Sequence, residues 1–480
     1  MAGVDLPHVD AGVVPDLPIG EEVKGVEAGG IDGQAEQAGL LEEGDRPETQ
    51  RPGQTGHRGD PDPLLAGRDP REKGGVELSG GGEPGEIEIL LSREASERGA
   101  ELAPARRPER RVVGRLRFHR GGDRRPGRGG LSDDPPLPTA TCPMNESTEA
   151  RKARHLDICL EDDVASRLDA GWDGVRLHHE ALPEFALADV DLTTSFLGHT
   201  LRAPLLISSM TGGTGRARRI NERLAVAAEA AGIAFGLGSG RAMLEDPSLR
   251  ATFDVRPVAP KVILYANLGA VQLNYAVTID DARRLVDELH ANGLYLHFNP
   301  LQEALQPGGD TNFRALEPKI AALCAALEVP VIAKSVGSGI APSTAARLLR
   351  CGVAAIDVAG AGGTSWALVE GRRSGDATRE RIAEAFGDWG YATPRATAAL
   401  RAAFPTMPLV ASGGVRHGVH VAKALALGAD LVGLALPFLR AAEESETAVA
   451  ALIDELLVTL RIAMFASGTR TVTEARGALV

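Results

Sequence analysis

From Met144 to the C-terminus the sequence predicts an α/β fold, a (β/α)8 barrel. Short apolar segments recur eight times, rich in Val, Ile and Leu, each closing on Gly, Ser, Asn or another small polar residue. Helical patterns fill the intervals, and near-continuous apolar strands followed by helices imply a parallel sheet buried on both faces. Eight such units in ~250 residues are what a TIM barrel requires, whereas an open doubly wound sheet would seldom need eight similar units.

The series starts with PLLISSM (Pro204 to Met210), IAFGLGSG (Ile233 to Gly240) and VILYANLG (Val262 to Gly269). YLHFN (Tyr295 to Asn299), VPVIAKSVG (Val329 to Gly337) and AAIDVAG (Ala354 to Gly360) follow. PLVASGG (Pro408 to Gly414) and LVGLALP (Leu431 to Pro437) complete it. Between them, NERLAVAAEAAG, IDDARRLVDELHANG, FRALEPKIAALCAALE, PSTAARLLRCG, TPRATAALRAAF and HVAKALALGA carry helical spacing.

Before Met144 the texture differs. Gly, Arg, Pro, Glu and Asp dominate, Trp, Tyr and Asn are absent, and Phe118 is the sole aromatic. Such a segment cannot bury enough apolar surface to offset ordering entropy, so residues 1–143 read as disordered. The run from Ala105 to Gly130 resembles an arginine–glycine nucleic-acid arm, yet it lacks aromatic stacking partners. GC-rich upstream sequence read as protein gives the same composition. The extension is therefore expected to be non-native, with Met144 as the true start.

The whole chain carries 52 Lys+Arg against 65 Asp+Glu, a net charge of -13, which argues against a general nucleic-acid binder. Its cysteines (Cys142, Cys159, Cys324, Cys351) are scattered with no C-x-x-C pair, as suits a reducing cytosol. No apolar run approaches the ~20 residues needed to cross a bilayer. The first residues, MAGVDLPHVDAG, lack the basic start and apolar core of a secretory signal. A soluble, cytoplasmic protein without membrane contact is expected.

In a barrel of this kind the C-terminal strand ends form the active face. The unusual residues gather there: Met210-Thr211-Gly212-Gly213, Ser239-Gly240-Arg241, Asn267, His297, Asn299, Lys334, Gly362-Gly363-Thr364-Ser365 and Ser412-Gly413-Gly414. Chance would spread polar residues over both ends, so the convergence argues for an enzyme. LHFNPLQE (Leu296 to Glu303) is the densest part. His297 and Asn299 are two apart and face one way on a strand, and Pro300 ends ladder pairing and fixes the turn carrying Gln302 and Glu303. Donors, an acceptor and one carboxylate suit a small polar ligand, with or without a metal.

ASGGVRHG (Ala411 to Gly418) and GLALPF (Gly433 to Phe438) come from the seventh and eighth strands, where barrels typically hold a phosphate. Gly-Gly turns let backbone N–H groups approach closely, and a helix N-terminus favours the anion. Lys334, at the end of the fifth strand, is open to three roles: Schiff-base nucleophile, structural ion pair, or cation beside an electron-rich ring. With a phosphate cradle nearby, a flavin N1–C2=O edge fits best, contacted also by Met210, Thr211, Gly212 and Asn267. Arg151 and Lys152, with Arg154 and His155 close by, precede the barrel and are placed to grip an anionic substrate.

These motifs resemble the type 2, flavin-dependent isopentenyl-diphosphate isomerases from about Met144 onward. The match runs through RKARH (Arg151 to His155), SSMTGG (Ser208 to Gly213), GLGSGRAMLEDP (Gly236 to Pro247) and ANLG (Ala266 to Gly269). It continues through HFNPLQE (His297 to Glu303), DVAGAGGTSW (Asp357 to Trp366), FGDWGYAT (Phe386 to Thr393), ASGGVRHG and AKALALGAD (Ala422 to Asp430). The resemblance implies FMN held by Met210, Thr211, Gly212, Ser239, Asn267, Lys334 and Thr364. Its phosphate would lie on Gly413, Gly414, Val415 and Arg416, beside Ala435 and Leu436. The diphosphate of isopentenyl or dimethylallyl diphosphate would fall to Arg151, Lys152, Ser239, Gly240, Arg241 and His297. Gln302 would sit near the reacting alkene supported by Asn299, and Glu303 would ligate Mg2+. The resemblance also implies a homo-oligomer, tetramer or octamer. AAFPTMP or the last helix (Ala448 to Ser467) offers surfaces for packing between subunits.

The sequence departs from the family pattern where Gly240 replaces a frequent Gln, Ser335 a Glu after the lysine, and Ala359 a common Ser. Losing the carboxylate at Ser335 is expected to raise the positive field on the flavin. Moving a double bond requires protonation of a weakly basic alkene, which demands a well-placed acid and exclusion of water. No Cys/Glu acid–base pair is evident at the mouth, since Cys324 and Cys351 fall on helices or their ends. Reduced FMN is therefore expected to shuttle the proton through N5, after reduction by NADPH. A flavin-dependent 2-hydroxyacid oxidase would need a His base at the sixth strand, where GAGGTS stands. An IMP dehydrogenase-like barrel would need a loop Cys. His417, inside the phosphate turn, is expected at the surface.

Overall fold

Alternation along the strands decides the architecture. In β1 (Leu205–Ile207) Leu206 belongs to an inner apolar cluster, while Leu205 and Ile207 pack in the outer layer against helices. The same split recurs in β2 (Ala234–Gly236), β3 (Ile263–Gly269), β4 (Gly293–Phe298), β5 (Val331–Ser335) and β6 (Ala355–Asp357), then in β7 (Leu409–Ser412) and β8 (Leu431–Leu434). Ala234, Tyr265, Tyr295, Ile332, Ala355, Val410 and Leu431 face inward from successive strands. Both faces are dry, which is why the strands read as almost continuous apolar runs. The strands pair in parallel in chain order, and β8 pairs with β1 to close the barrel. The computed structural model describes residues 148–480; the expectations of disorder and of non-native origin for residues 1–143 lie outside the described residues.

Helix ends follow local chemistry. Thr214 caps Gly215–Ala231 by accepting from the Ala217 N–H at 3.0 Å, so this helix starts earlier than its apolar pattern suggested. Thr278 and Asp281 form a capping box at the start of Ile279–Glu288. Proline opens Pro342–Arg350 and, at its second position, Thr393–Ala403.

One element was not foreseen: an antiparallel hairpin, Thr194–Phe196 with His199–Leu201. Phe196 and Leu201 join the inner cluster and meet the residues at the strand beginnings. They close the end of the barrel opposite the mouth. No helix among the described residues is long and apolar enough to cross a membrane.

Candidate functional site

One step beyond the inner cluster, alternation places Ser208, Asn267, His297, Lys334, Asp357 and Ser412 inward at the strand ends. All but Asp357 line a single cavity at the barrel mouth. Small residues make room for it: a Cβ on Gly433 would lie 2.5 Å from Ser208 Oγ, and one on Gly236 2.7 Å from Ser209 Oγ. The expected residues Met210, Thr211, Gly212, Ser239, Thr364, Gly413, Gly414, Val415, Arg416, Ala435 and Leu436 line the same cavity. So do Arg151, Lys152, Arg241, Asn299, Gln302 and Glu303.

Gly240 does not. Its missing side chain faces Leu285, whose Cδ1 would be 2.5 Å from a Cβ, and its N–H donates to the Asn267 carbonyl at 2.8 Å. It turns the chain between Ser239 and Arg241. A second correction concerns Pro300. It opens a short helix, Pro300–Leu305, instead of a loop, because proline suits the first helical turn. Gln302 and Glu303 therefore leave adjacent helical positions in different directions.

That short helix is held by a polar network. Asn299 Nδ2 donates to Gln302 Oε1 at 3.1 Å and to Glu303 Oε1 at 2.8 Å, and the Asp310 N–H donates to Glu303 Oε2 at 2.8 Å. Gln302 Nε2 donates to Glu370 Oε1 at 2.9 Å. Glu370 is fully buried on Trp366–Ser374, takes a hydrogen bond from Arg373 Nε at 2.7 Å, and lies 3.1 Å from His155 Nε2. Burial opposes its charge, but His155, Arg373 and Gln302 outweigh it and hold the carboxyl down at about 2. Sequence reasoning missed Glu370; an acidic residue four positions after TSW was its only mark.

His297 Nδ1 lies 2.7 Å from Asn267 Oδ1, an acceptor, so Nδ1 carries the proton. Burial, reinforced by Lys334 and Lys152, pushes the imidazole down to about 3, so it is neutral. Glu303 is shifted the other way: burial raises it against the pull of its hydrogen bonds.

The cationic rim comes from Thr148–Glu161, a helix whose Arg151, Lys152, His155 and Cys159 share the cavity side while Arg154 is exposed. Lys152 Nζ donates to the Ser239 carbonyl at 3.0 Å and sits 5.0 Å above the Phe253 ring. Burial and then Arg151 push its ammonium down to about 7. Arg241 is held by Glu245 at 2.6 Å and Asp310 at 2.7 Å.

One cysteine the sequence reading did not weigh, Cys159, lines the cavity, and Glu370 is close enough to act on its charge. Their protonation is wrong for acid–base exchange. Burial, then Glu370, pushes the thiol up to about 12, while the carboxylate is too weak a base at about 2.

The glycine turns after β6 and β7 interlock. Gly413 has φ 108° and Gly414 φ 71°, and a Cβ on Gly413 would be 2.2 Å from the Gly360 carbonyl oxygen. Among the described residues, no backbone carbonyl accepts from the N–H groups of Gly414, Val415 or Arg416. Such a turn is a nest for a phosphate. Among the described residues, the Ser208 and Ser209 hydroxyls are buried without partners in the same cavity. Both features fit FMN. No group of three or more His, Cys, Asp or Glu able to hold a metal occurs among the described residues. Glu303 alone suits Mg2+, which is usually bound by one or two carboxylates plus substrate phosphates and waters. His417 is exposed as expected.

A family model described as FMN-dependent dehydrogenase matches residues 299–480. The chain is 56% identical over 320 residues to an isopentenyl-diphosphate delta-isomerase of Synechococcus sp., covering 66% of this chain and 92% of that protein. Proteins of the same name from Nostoc sp. (52%, 67% of this chain and 92% of that one) and Xanthobacter autotrophicus (53%, 68% and 95%) are also similar. With this identity over nearly the whole length of its relatives, the chain belongs to the type 2, FMN-dependent isopentenyl-diphosphate delta-isomerase family.

Proposed function

We propose that this protein interconverts isopentenyl and dimethylallyl diphosphate, with FMN and Mg2+ as cofactors and NADPH as the reductant of the flavin. The observation that carries the reading is one mouth cavity in which a cationic rim faces a glycine phosphate nest, with a neutral His297–Asn299–Gln302 group between them. The cations suit the diphosphate, the nest suits the FMN phosphate, and the uncharged Asn299 and Gln302 amides suit an alkene.

Met210, Thr211, Gly212, Ser239, Asn267, Lys334 and Thr364 would hold the flavin ring, and Gly413 to Arg416 its phosphate, next to Ala435 and Leu436. The reduced flavin supplies the acid–base chemistry at N5. Arg151, Lys152, Ser239 and Arg241 bind the diphosphate, and His297 approaches through its free Nε2. Each added phosphate charge favours protonation of Lys152 and His297, which the protein alone holds down. Gln302, oriented by Asn299 and Glu370, positions the alkene. Glu303 is the carboxylate that would hold Mg2+, whose charge would offset that of the diphosphate. The Thr148–Glu161 helix covers the mouth and excludes water, without which a weakly basic alkene is not protonated selectively.

A 2-hydroxyacid oxidase is disfavoured because the turn after β6 is built from Gly362, Gly363 and Thr364, with no histidine. Homo-oligomeric assembly and a cytoplasmic site belong to the same reading. Anaerobic, FMN-reconstituted enzyme with isopentenyl diphosphate, Mg2+ and NADPH should form dimethylallyl diphosphate. No product, or full turnover by oxidised enzyme without reductant, overturns the proposal.

A further inference from the structure

Asp357 ends β6 with no exposed surface. Its Oδ1 accepts from the Ser412 hydroxyl at 2.6 Å and from the Ala359 N–H at 3.2 Å, while Oδ2 is buried without a hydrogen-bond partner among the described residues. The Tyr295 hydroxyl, also buried, is close enough to interact with the carboxylate. Lys334 stands beside Asp357 in register on β5, and both face inward. Its ammonium donates to the Ser335 carbonyl at 2.9 Å.

Each charge is costly by itself. Burial drives Lys334 toward the neutral amine, and Asp357 is the charge that opposes it. Burial equally drives Asp357 upward, and Lys334 is foremost among the groups that oppose that shift. A buried charge is kept only when paired and hydrogen-bonded. The two charges are register neighbours rather than a direct salt bridge, and they are oriented: Lys334 lines the cavity and Asp357 does not. Ser335, where the sequence suggested a lost carboxylate, is buried on the opposite side of the strand and lines a separate groove.

We infer that Asp357 is a positioning residue that keeps Lys334 an ammonium directed into the cavity, so that the Asp357–Lys334 pair sets the positive charge met by the flavin ring. This rests on reading the cavity as an FMN site. A cation at the ring edge favours the flavin's reduced, anionic form over its oxidised form, so affinity for the two forms reports the pair directly. An Asp357 that served only to brace β6 would leave that ratio unchanged.

The test compares wild type, Asp357→Asn, Lys334→Met and the double variant. Folding is checked by circular dichroism, and the ratio of reduced to oxidised FMN affinity is obtained from the bound flavin's reduction potential. Asp357→Asn should lower the ratio by about tenfold or more, as Lys334→Met does, and the double variant should lower it no further. A ratio unchanged or raised in Asp357→Asn, or additive losses in the double variant, overturns the inference. Wild type that binds no FMN overturns the cavity reading and the inference with it.

Thermal unfolding of the flavin-free proteins supplies a second measurement that does not depend on flavin binding by the single variants. The double variant should melt above both single variants, because each single variant strands one buried charge. A double variant that melts below both would overturn the pairing.

Discussion

Gln302 Nε2 donates to Glu370 Oε1 at 2.9 Å, and this bond joins the end of β4 to the helix after β6. The amide is thereby fixed at both ends, since its Oε1 accepts from Asn299. Gln302→Ala should abolish isomerisation nearly completely while FMN absorbance stays bound. Glu370→Gln should reduce kcat more than it raises KM, because the alkene side of the site is misaligned while the diphosphate grip is untouched. Steady-state kinetics with isopentenyl diphosphate separates the two parameters; an unchanged kcat in Glu370→Gln would refute the positioning role.

Glu370 also carries a stability prediction with a definite sign. Its folded-state pKa of about 2 lies below the ordinary glutamate value, so its contribution is present above the unfolded pKa and lost as pH falls through about 2. Glu370→Ala leaves Arg373 buried beside a lost partner, and should cost about 3–5 kcal/mol at neutral pH. Urea unfolding at pH 7 reads this, and a loss under about 1 kcal/mol would contradict it.

Glu303 is read as the protein's carboxylate for Mg2+. Glu303→Ala should weaken the dependence of activity on Mg2+ and raise KM for the diphosphate. Titrating activity against Mg2+ checks this; a wild-type titration curve would remove Glu303 from metal binding.

Lys152 gives a pH limb. With an ammonium held down to about 7, it is charged below that pH and increasingly neutral above it. The apparent affinity of free enzyme for a diphosphate analogue should therefore fall as pH rises through about 7, and Lys152→Met should remove that limb. Isothermal titration across this range decides between a sloping and a flat profile.

Gly413 occupies a left-handed conformation against the Gly360 carbonyl. Gly413→Ala combines the strain of positive φ, roughly 1–2 kcal/mol, with a backbone clash. It should lower Tm and release FMN together. Retention of FMN at wild-type affinity would show that the turn is not its phosphate nest.

Residues 1–143 are read as dispensable. A chain starting at Met144 should fold, bind FMN and isomerise as the full chain does. Loss of activity on deletion would favour a binding role for the arginine-rich run.

The barrel was legible because an interior filled on both faces writes itself as apolar runs, and eight of them leave few alternatives. The mouth was legible where residue types were unusual, as in His297, Lys334 and the glycine turns. What escaped depended on distance in space. Asp357 sat in plain view within AAIDVAG, but only strand pairing sets it beside Lys334. Glu370 and Cys159 sit on helices whose inward faces short patterns do not reveal. The hairpin was missed because its three-residue strands carry too little alternation to register. Gly240 lies outside the cavity lining because a loop's neighbours point different ways, and sequence adjacency does not say which.

Phe196 and Leu201 give the barrel a sealed floor. A cup has one door. On the proposed reading, substrate enters and product leaves past the same rim, beside the helix that carries Arg151 and Lys152. The two diphosphates differ only in where a double bond lies, and they present the rim with the same charged handle. On the same reading both are held through that handle, and, as for any catalyst, the direction of net flux follows their concentrations relative to equilibrium.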